Sequence, residues 1–193
     1  MKKRNILLAT ALLSVGSVFA QTLPDGMTAL LPSGVTPNIT QDKKFIMQKN
    51  LTVAGSPEKG YYAFFSASDS DHGEELWVTD GTPEGTRMVK DINPGVATSD
   101  VNYLTRFNDK IVFSADNGED GYQLWISDGT EEGTRMVKKI HEFDSSNPIG
   151  FCQMNETQFI FFASDYESEN FSSEGAQKWL YVSDGTEEGT KLV

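Results

Sequence analysis

Along this chain, short apolar or alternating runs are separated by breaks rich in Gly, Asp and Asn, and the runs have a period of two residues, the mark of strands. Tyr61–Ala67 (YYAFFSA) is nearly continuous in apolarity, which predicts a strand buried on both faces. Glu75–Thr79 alternates, as does Thr86–Ile92, where Met88, Lys90 and Ile92 flank Val89 and Asp91. Val101–Phe107 reads as the fourth strand of the unit, and Asn108-Asp109 as a two-residue turn into the next unit at Lys110–Ala115. With a further run at Leu51–Ala54, about twelve strands are expected, joined by short turns as meanders.

The pattern repeats. Trp77–Lys90 reads WVTDGTPEGTRMVK and Trp125–Lys138 reads WISDGTEEGTRMVK, identical at 11 of 14 positions. A third copy, Tyr181–Val193, reads YVSDGTEEGTKLV. The step from Asp80 to Asp128 equals those from Ala67 to Ala115 and from Ala115 to Ala163, whereas the step from Asp128 to Asp184 is longer. The third period therefore has its extra residues between Ala163 and Leu180, around Asp165–Gln177. A β-solenoid would show a shorter period and more glycine, and a sandwich does not need its strands to repeat. Four-stranded meanders recurring with a period of about 48 residues predict an all-β fold of tandem antiparallel meanders, a partial β-propeller of about three blades. The chain stops at Lys191-Leu192-Val193, inside the strand that the earlier copies continue to Ile92 and Ile140, so a fragment of a longer array is expected.

The repeated Asp-Gly-Thr-x-Glu-Gly-Thr motif joins the second and third strands. Gly81 takes positive φ at no steric cost, the Asp80 carboxylate accepts backbone N–H groups just downstream, and Thr82 and Thr86 do the same more weakly. An architectural turn is the simplest reading, with a cation held by Asp80, Asp128 and Asp184 as its rival. Trp77, Trp125 and Tyr181 read as wedges between sheets rather than as a sugar-stacking platform. Cys152, in the apolar run Ile149–Met154, reads as a buried, inert thiol. The acidic loops after the aromatic strands are a better site candidate. Asp69, Asp71 and Glu74 in one copy, and Asp116, Glu119 and Asp120 in the next, place oxygen ligands beside a glycine, which suits calcium; Asp165, Glu167 and Glu169 occupy the expanded third loop. The spacing is not that of an EF-hand, and no other cofactor is implied.

Catalytic signals are thin: His72 and His141 lie in different surroundings, and there is no metalloprotease helix motif, nucleophile elbow or phosphate-cradling loop. Paired carboxylates that cleave a glycoside remain the enzymatic alternative, although nothing singles out a pair.

Residues 1–20 are a secretory leader: Lys2, Lys3 and Arg4 precede the apolar run Ile6–Leu13, and small side chains at Val18 and Ala20 fit signal peptidase. Cleavage leaves Gln21, a linker over 21–42, and repeats over 43–193, which fit a single core. No later stretch predicts a membrane span. The chain carries 28 acidic against 16 basic residues, three of the basic ones in the leader, so nucleic acid and anionic membranes are disfavoured as partners. A single cysteine allows no intrachain disulfide. Sequons begin at Asn38, Asn50, Asn155 and Asn170.

Glu75–Thr82, Gly85-Thr86 and Val89–Gly95 together resemble the ELWVTDGTxxGTxxVKDIxPG repeat of large secreted bacterial proteins, often labelled hyalin-like and frequent in Bacteroidetes and myxobacteria. The resemblance runs from about Leu51 to the end. It implies a propeller-like architecture and an envelope or extracellular location, with many members resembling cargo of the type IX secretion route, and it carries no established activity. The chain departs from that pattern in its few repeats and in lacking a C-terminal sorting domain. The function expected is a non-enzymatic extracellular binding or adhesion module with a protein or glycan partner; the alternative is part of a secreted propeller hydrolase or lyase acting on polysaccharide.

Overall fold

A computed structural model describes residues 34–37, 51–142, 145–164 and 178–193. The expected leader over residues 1–20, Asn38, Asn50, Asn170 and the expanded-loop carboxylates Asp165, Glu167 and Glu169 lie outside the described residues.

Among the described residues, the alternating and apolar runs of the sequence are extended. In chain order the strands are β1 (Thr36–Pro37), β2 (Leu51–Ser56), β3 (Gly60–Ser68), β4 (Glu75–Thr79), β5 (Arg87–Lys90), β6 (Asn102–Phe107), β7 (Lys110–Asp116), β8 (Tyr122–Ser127), β9 (Arg135–Lys138), β10 (Ile149–Gln153), β11 (Phe159–Ser164), β12 (Lys178–Ser183) and β13 (Lys191–Leu192). No helix occurs among the described residues. The strands form three antiparallel four-stranded meanders, β2–β5, β6–β9 and β10–β13, with β1 added to the first through Thr36 opposite Ser68 and Pro37 opposite Ala67. That short pairing falls inside the span expected to be a linker. Proline is tolerated there because, among the described residues, β1 pairs with β3 alone and stands at the edge of the sheet.

One boundary differs from the sequence reading. Val101–Phe107 does not close the first unit; β6 pairs with β7 and opens the second sheet. The reason is the Asn108-Asp109 turn, with Asn108 at φ 57. So tight a link can only join neighbours within one sheet. The chain passes between sheets in the longer segment after Lys90.

Packing between sheets uses the same positions twice. Phe64, Leu76, Val78 and Val89 of the first sheet meet Ile111, Phe113, Ala115 and Trp125 of the second. Their equivalents one repeat later, Val112, Leu124, Ile126 and Val137, meet Phe159, Phe161, Ala163 and Tyr181 of the third. Alternate residues of β7 therefore face opposite neighbours, and all five from Ile111 to Ala115 are buried. Each large apolar side chain so covered contributes roughly 1.5–3 kcal/mol. Trp125 and Tyr181 act as the expected wedges, with Trp125 stacked on Phe113 and Tyr181 on Phe161. The opening strands lie against one another in succession, β2 against β6 and β6 against β10.

Candidate functional site

The three Asp-Gly-Thr turns are superimposable in their bonding. Asp80 Oδ1 accepts the backbone N–H (2.9 Å) and hydroxyl (2.7 Å) of Thr82; Thr82 Oγ1 accepts the Gly85 N–H; Thr86 Oγ1 donates to Thr82 O. Asp128 and Asp184 repeat this with Thr130 and Thr186. The Thr82 hydroxyl and then its N–H hold the Asp80 carboxyl below its usual range, and Asp184 is held low in the same way by Thr186. The second glycine is required because a Cβ at Gly85, Gly133 or Gly189 would lie 2.0–2.1 Å from the turn's own aspartate oxygen. The first glycine has a different task. Gly129, at φ 89, lies under the Phe64 ring of the preceding sheet, 3.3 Å from where a Cβ would stand, and Gly185 meets Ile126 likewise at 2.9 Å. The motif is thus also the point on which the previous sheet lands. Arg87 Nη2 donates to Gly129 O (2.6 Å) and Arg135 Nη2 to Gly185 O (2.8 Å), latching each sheet to the next turn.

The acidic loops hold their carboxylates in local bonds. Asp69 Oδ1 accepts the N–H groups of Asp71 and His72 and lies 2.9 Å from His72 Nδ1; the Asp71 N–H leads in lowering Asp69, and Asp69 raises His72. Asp71 is exposed and Glu74 half-buried. Asp116 accepts the Gly118 N–H. Asp120 pairs with Lys139 at 2.6 Å and accepts from Asn117, and Glu119 is exposed. Among the described residues no group of three His, Cys, Asp or Glu side chains is arranged to hold a metal ion.

Cys152 is exposed, not buried. A register shift in the β10–β11 pairing and Gly150 at φ 68 interrupt the alternation, and Phe151 takes the inward place beside the Phe159 and Phe161 rings.

Two features lay beyond the sequence reading. The first is Glu75, wholly buried at the start of β4, which accepts the N–H groups of Ile92 (2.9 Å) and Asn93 (3.2 Å) and so holds the passage between sheets. Burial pushes its carboxyl up to about 7 against the pull of those bonds. Gln123, its equivalent in the next repeat, does the same work in the second sheet, accepting from Ile140 and Ser146. A glutamate and a glutamine at equivalent repeat positions in apolar strands were the available signal.

The second is a cleft of about 480 Å³ between the second and third sheets, lined among others by Asp100, Asn102, Tyr103, Tyr122, Asn147 and Lys178. Tyr122 donates its hydroxyl to Asp100 Oδ2 (2.7 Å); burial first, and that carboxylate second, push the phenol above its usual range. Asn102 Nδ2 also bonds Asp100 Oδ1, and Lys178 Nζ donates to Asn147 O (2.8 Å), with burial pulling the ammonium down. Ser164 Oγ, in the wall, is buried without a hydrogen-bond partner. Asp100 (φ 45), Tyr103 (φ 60) and Asn147 (φ 47) all have left-handed backbone. Ser99 and Ser146 donate their N–H groups to Glu74 O and Tyr122 O respectively, which makes Asp100 the counterpart of Asn147 and Tyr103 the counterpart of Gly150, itself at φ 68. Tyrosine therefore stands where the next copy uses glycine, a conformation that costs a bulky residue about 1–3 kcal/mol. Strain of this kind concentrates at functional sites.

No family model, curated protein or solved structure matches this chain.

Proposed function

We propose that this protein is an exported, non-enzymatic binding module whose meanders hold a rigid cleft for a hydroxyl-rich glycan at the cell envelope. The observation that carries the reading is the cleft beside Asp100, in which carboxylate, amide, phenol and ammonium groups converge with an unpartnered Ser164 hydroxyl. Vicinal hydroxyls are recognised by such mixed donors and acceptors, with aromatic rings covering the apolar faces of sugars. The left-handed tyrosine supports it, because a fold that needed only stability would use glycine there, as at Gly150. Export rests on the leader over residues 1–20, and a mature N-terminus at Gln21 is the corresponding expectation.

The test is binding of the secreted chain to an array of envelope and extracellular polysaccharides, followed by calorimetry with Asp100→Ala and Lys178→Ala. Loss of binding by at least tenfold in both variants, with unchanged unfolding midpoints and no release of reducing ends, supports the reading. Turnover of any glycan would overturn the non-enzymatic part. Binding confined to proteins, unaffected by either substitution, would overturn the cleft.

A further inference from the structure

The cleft between the second and third sheets contains a cation without a counter-charge. Lys178 is half-buried at the start of β12, and its Nζ donates to Asn147 O at 2.8 Å. No carboxylate among the described residues lies within ion-pair distance of it. The carboxylate of the cleft itself, Asp100, is engaged on both oxygens, by the Tyr122 hydroxyl at 2.7 Å and the Asn102 amide at 3.0 Å. An ammonium drawn out of water is costly without an opposite charge. Burial pulls Lys178 below its usual range, with no neighbouring charge to offset it.

A second orphan stands directly across the strand pair. Ser164 is the partner of Lys178 in the β11–β12 ladder, which brings their Cβ atoms to about 5 Å. It is 2 % exposed, lines the same cleft, and its hydroxyl has no hydrogen-bond partner. A hydroxyl left so is costly as well, and what satisfies it has to accept or donate from within the cleft. The other copies show what is missing. At the same repeat positions the first carries Ser68 and Glu74 and the second Asp116 and Tyr122, so each pair contains one carboxylate. The third pair contains none and adds the cation. With 28 acidic against 16 basic residues in the chain, a general shortage of carboxylates does not account for the gap.

We infer that the glycan is an acidic one, and that the carboxylate of a uronic acid residue seats between the Lys178 ammonium and the Ser164 hydroxyl. This rests on the cleft being the glycan site. Lys178 has three N–H donors and spends one on Asn147 O; the two that remain, with the Ser164 O–H, match the two oxygens of a carboxylate. Such charge-assisted bonds are roughly twice as strong as neutral ones. A sugar hydroxyl in the same place would satisfy Ser164 but leave the ammonium without its counter-charge.

Calorimetry of the full secreted chain tests this with short oligosaccharides of galacturonate, glucuronate and mannuronate, each as the free acid and as its methyl ester, beside neutral oligosaccharides of glucose and galactose. At least one acid should bind about tenfold or more tighter than its own ester, the factor that one charge-assisted pair commands. That comparison needs no variant. Lys178→Met keeps the stem and removes the charge, so it should shrink the ratio to within about twofold, and Lys178→Arg should retain most of it. Ser164→Ala should weaken the acid more than the ester. Asp100→Ala should weaken both and preserve the ratio. Each variant is compared at an unchanged unfolding midpoint. Esters or neutral glycans that bind as tightly as the acids, and weaken with Asp100→Ala, overturn the inference and leave the glycan cleft standing. An acid preference that survives Lys178→Met overturns it too, since the carboxylate then sits elsewhere. If no oligosaccharide binds, acid or neutral, the inference and the cleft reading fall together.

Discussion

Replacing Glu75 with glutamine puts into the first sheet the side chain that the second already uses at Gln123. The folded carboxyl is raised to about 7 from 4.5. It therefore binds its proton more tightly than the unfolded chain does, and its contribution to stability is complete below pH 4.5 and lost as pH rises through about 7. At about 1.4 kcal/mol per unit, the loss has a ceiling of about 3 kcal/mol. Ile92 and Asn93 donate to different carboxylate oxygens, and the neutral acid and the amide alike keep one carbonyl acceptor and lose the other, so wild type and variant should be nearly equal in stability at about pH 5. By about pH 8.5 the variant should be the more stable by about 2–3 kcal/mol. Urea unfolding followed by tryptophan fluorescence at the two pH values measures the difference directly. Carboxylates held low by their neighbours, such as Asp69 and Asp120, titrate identically in both proteins and cancel. A difference that does not change with pH would refute the reasoning. It would mean that the two backbone N–H groups outweigh burial and keep Glu75 ionised in the folded state.

Gly81→Ala and Gly129→Ala form a matched pair, since both glycines have nearly the same left-handed backbone, φ 91 and 89, and only Gly129 has the Phe64 ring above it. Each should lose about 1 kcal/mol to backbone strain, and Gly129→Ala a further 1–3 kcal/mol or so to overpacking. Equal losses in thermal unfolding would show that the sheet contact at the turn is not tight. Tyr103→Gly should hold or raise the melting temperature, as the counterpart Gly150 does the same backbone work without strain. If it lowers stability by more than about 1 kcal/mol, the tyrosine is there for packing and the cleft loses its main support. Cys152 should react completely with a soluble disulfide reagent in native buffer, at a rate within a few-fold of the unfolded chain. Protection of the thiol would contradict its exposed place on β10.

Much of the fold was legible because the repeat multiplies weak local signals. A short strand is ambiguous alone, but Glu75–Thr79 gains weight when Gln123–Ser127 recurs one period later with the same apolar positions. The phase of the repeat was harder, since a cyclic pattern has no inherent first strand. Yet the deciding residues were visible: a two-residue turn at Asn108-Asp109 binds β6 to β7, leaving only the longer segment after Lys90 for the passage between sheets. Cys152 was misplaced because alternation fails beside a bulge, and Gly150 was the local warning. The cleft was not legible at all. Asp100, Tyr122, Asn147 and Lys178 come from separate strands and connections, and no spacing in the chain brings them together before the sheets pack.

The copies can be compared as natural variants of one another, and the comparison separates scaffold from site. At the turn the bonding is the same three times over, from Asp80, Asp128 and Asp184 to the threonine two residues on. At the strand start beside the cleft the equivalent positions are Glu74, Tyr122 and Lys178, an acid, a phenol and an ammonium. Folding alone does not explain that spread, since the backbone there is alike: Glu74 O and Tyr122 O accept from Ser99 and Ser146 in the same way. Tyr122 and Lys178 also bond residues of the same class of left-handed backbone, Asp100 and Asn147. A repeat that holds its turns constant and changes the chemistry at one recurrent position between sheets is arranged to present different groups from one geometry. Under the proposed glycan-binding function, specificity belongs at the gaps between sheets, and each gap should then recognise a different part of the ligand.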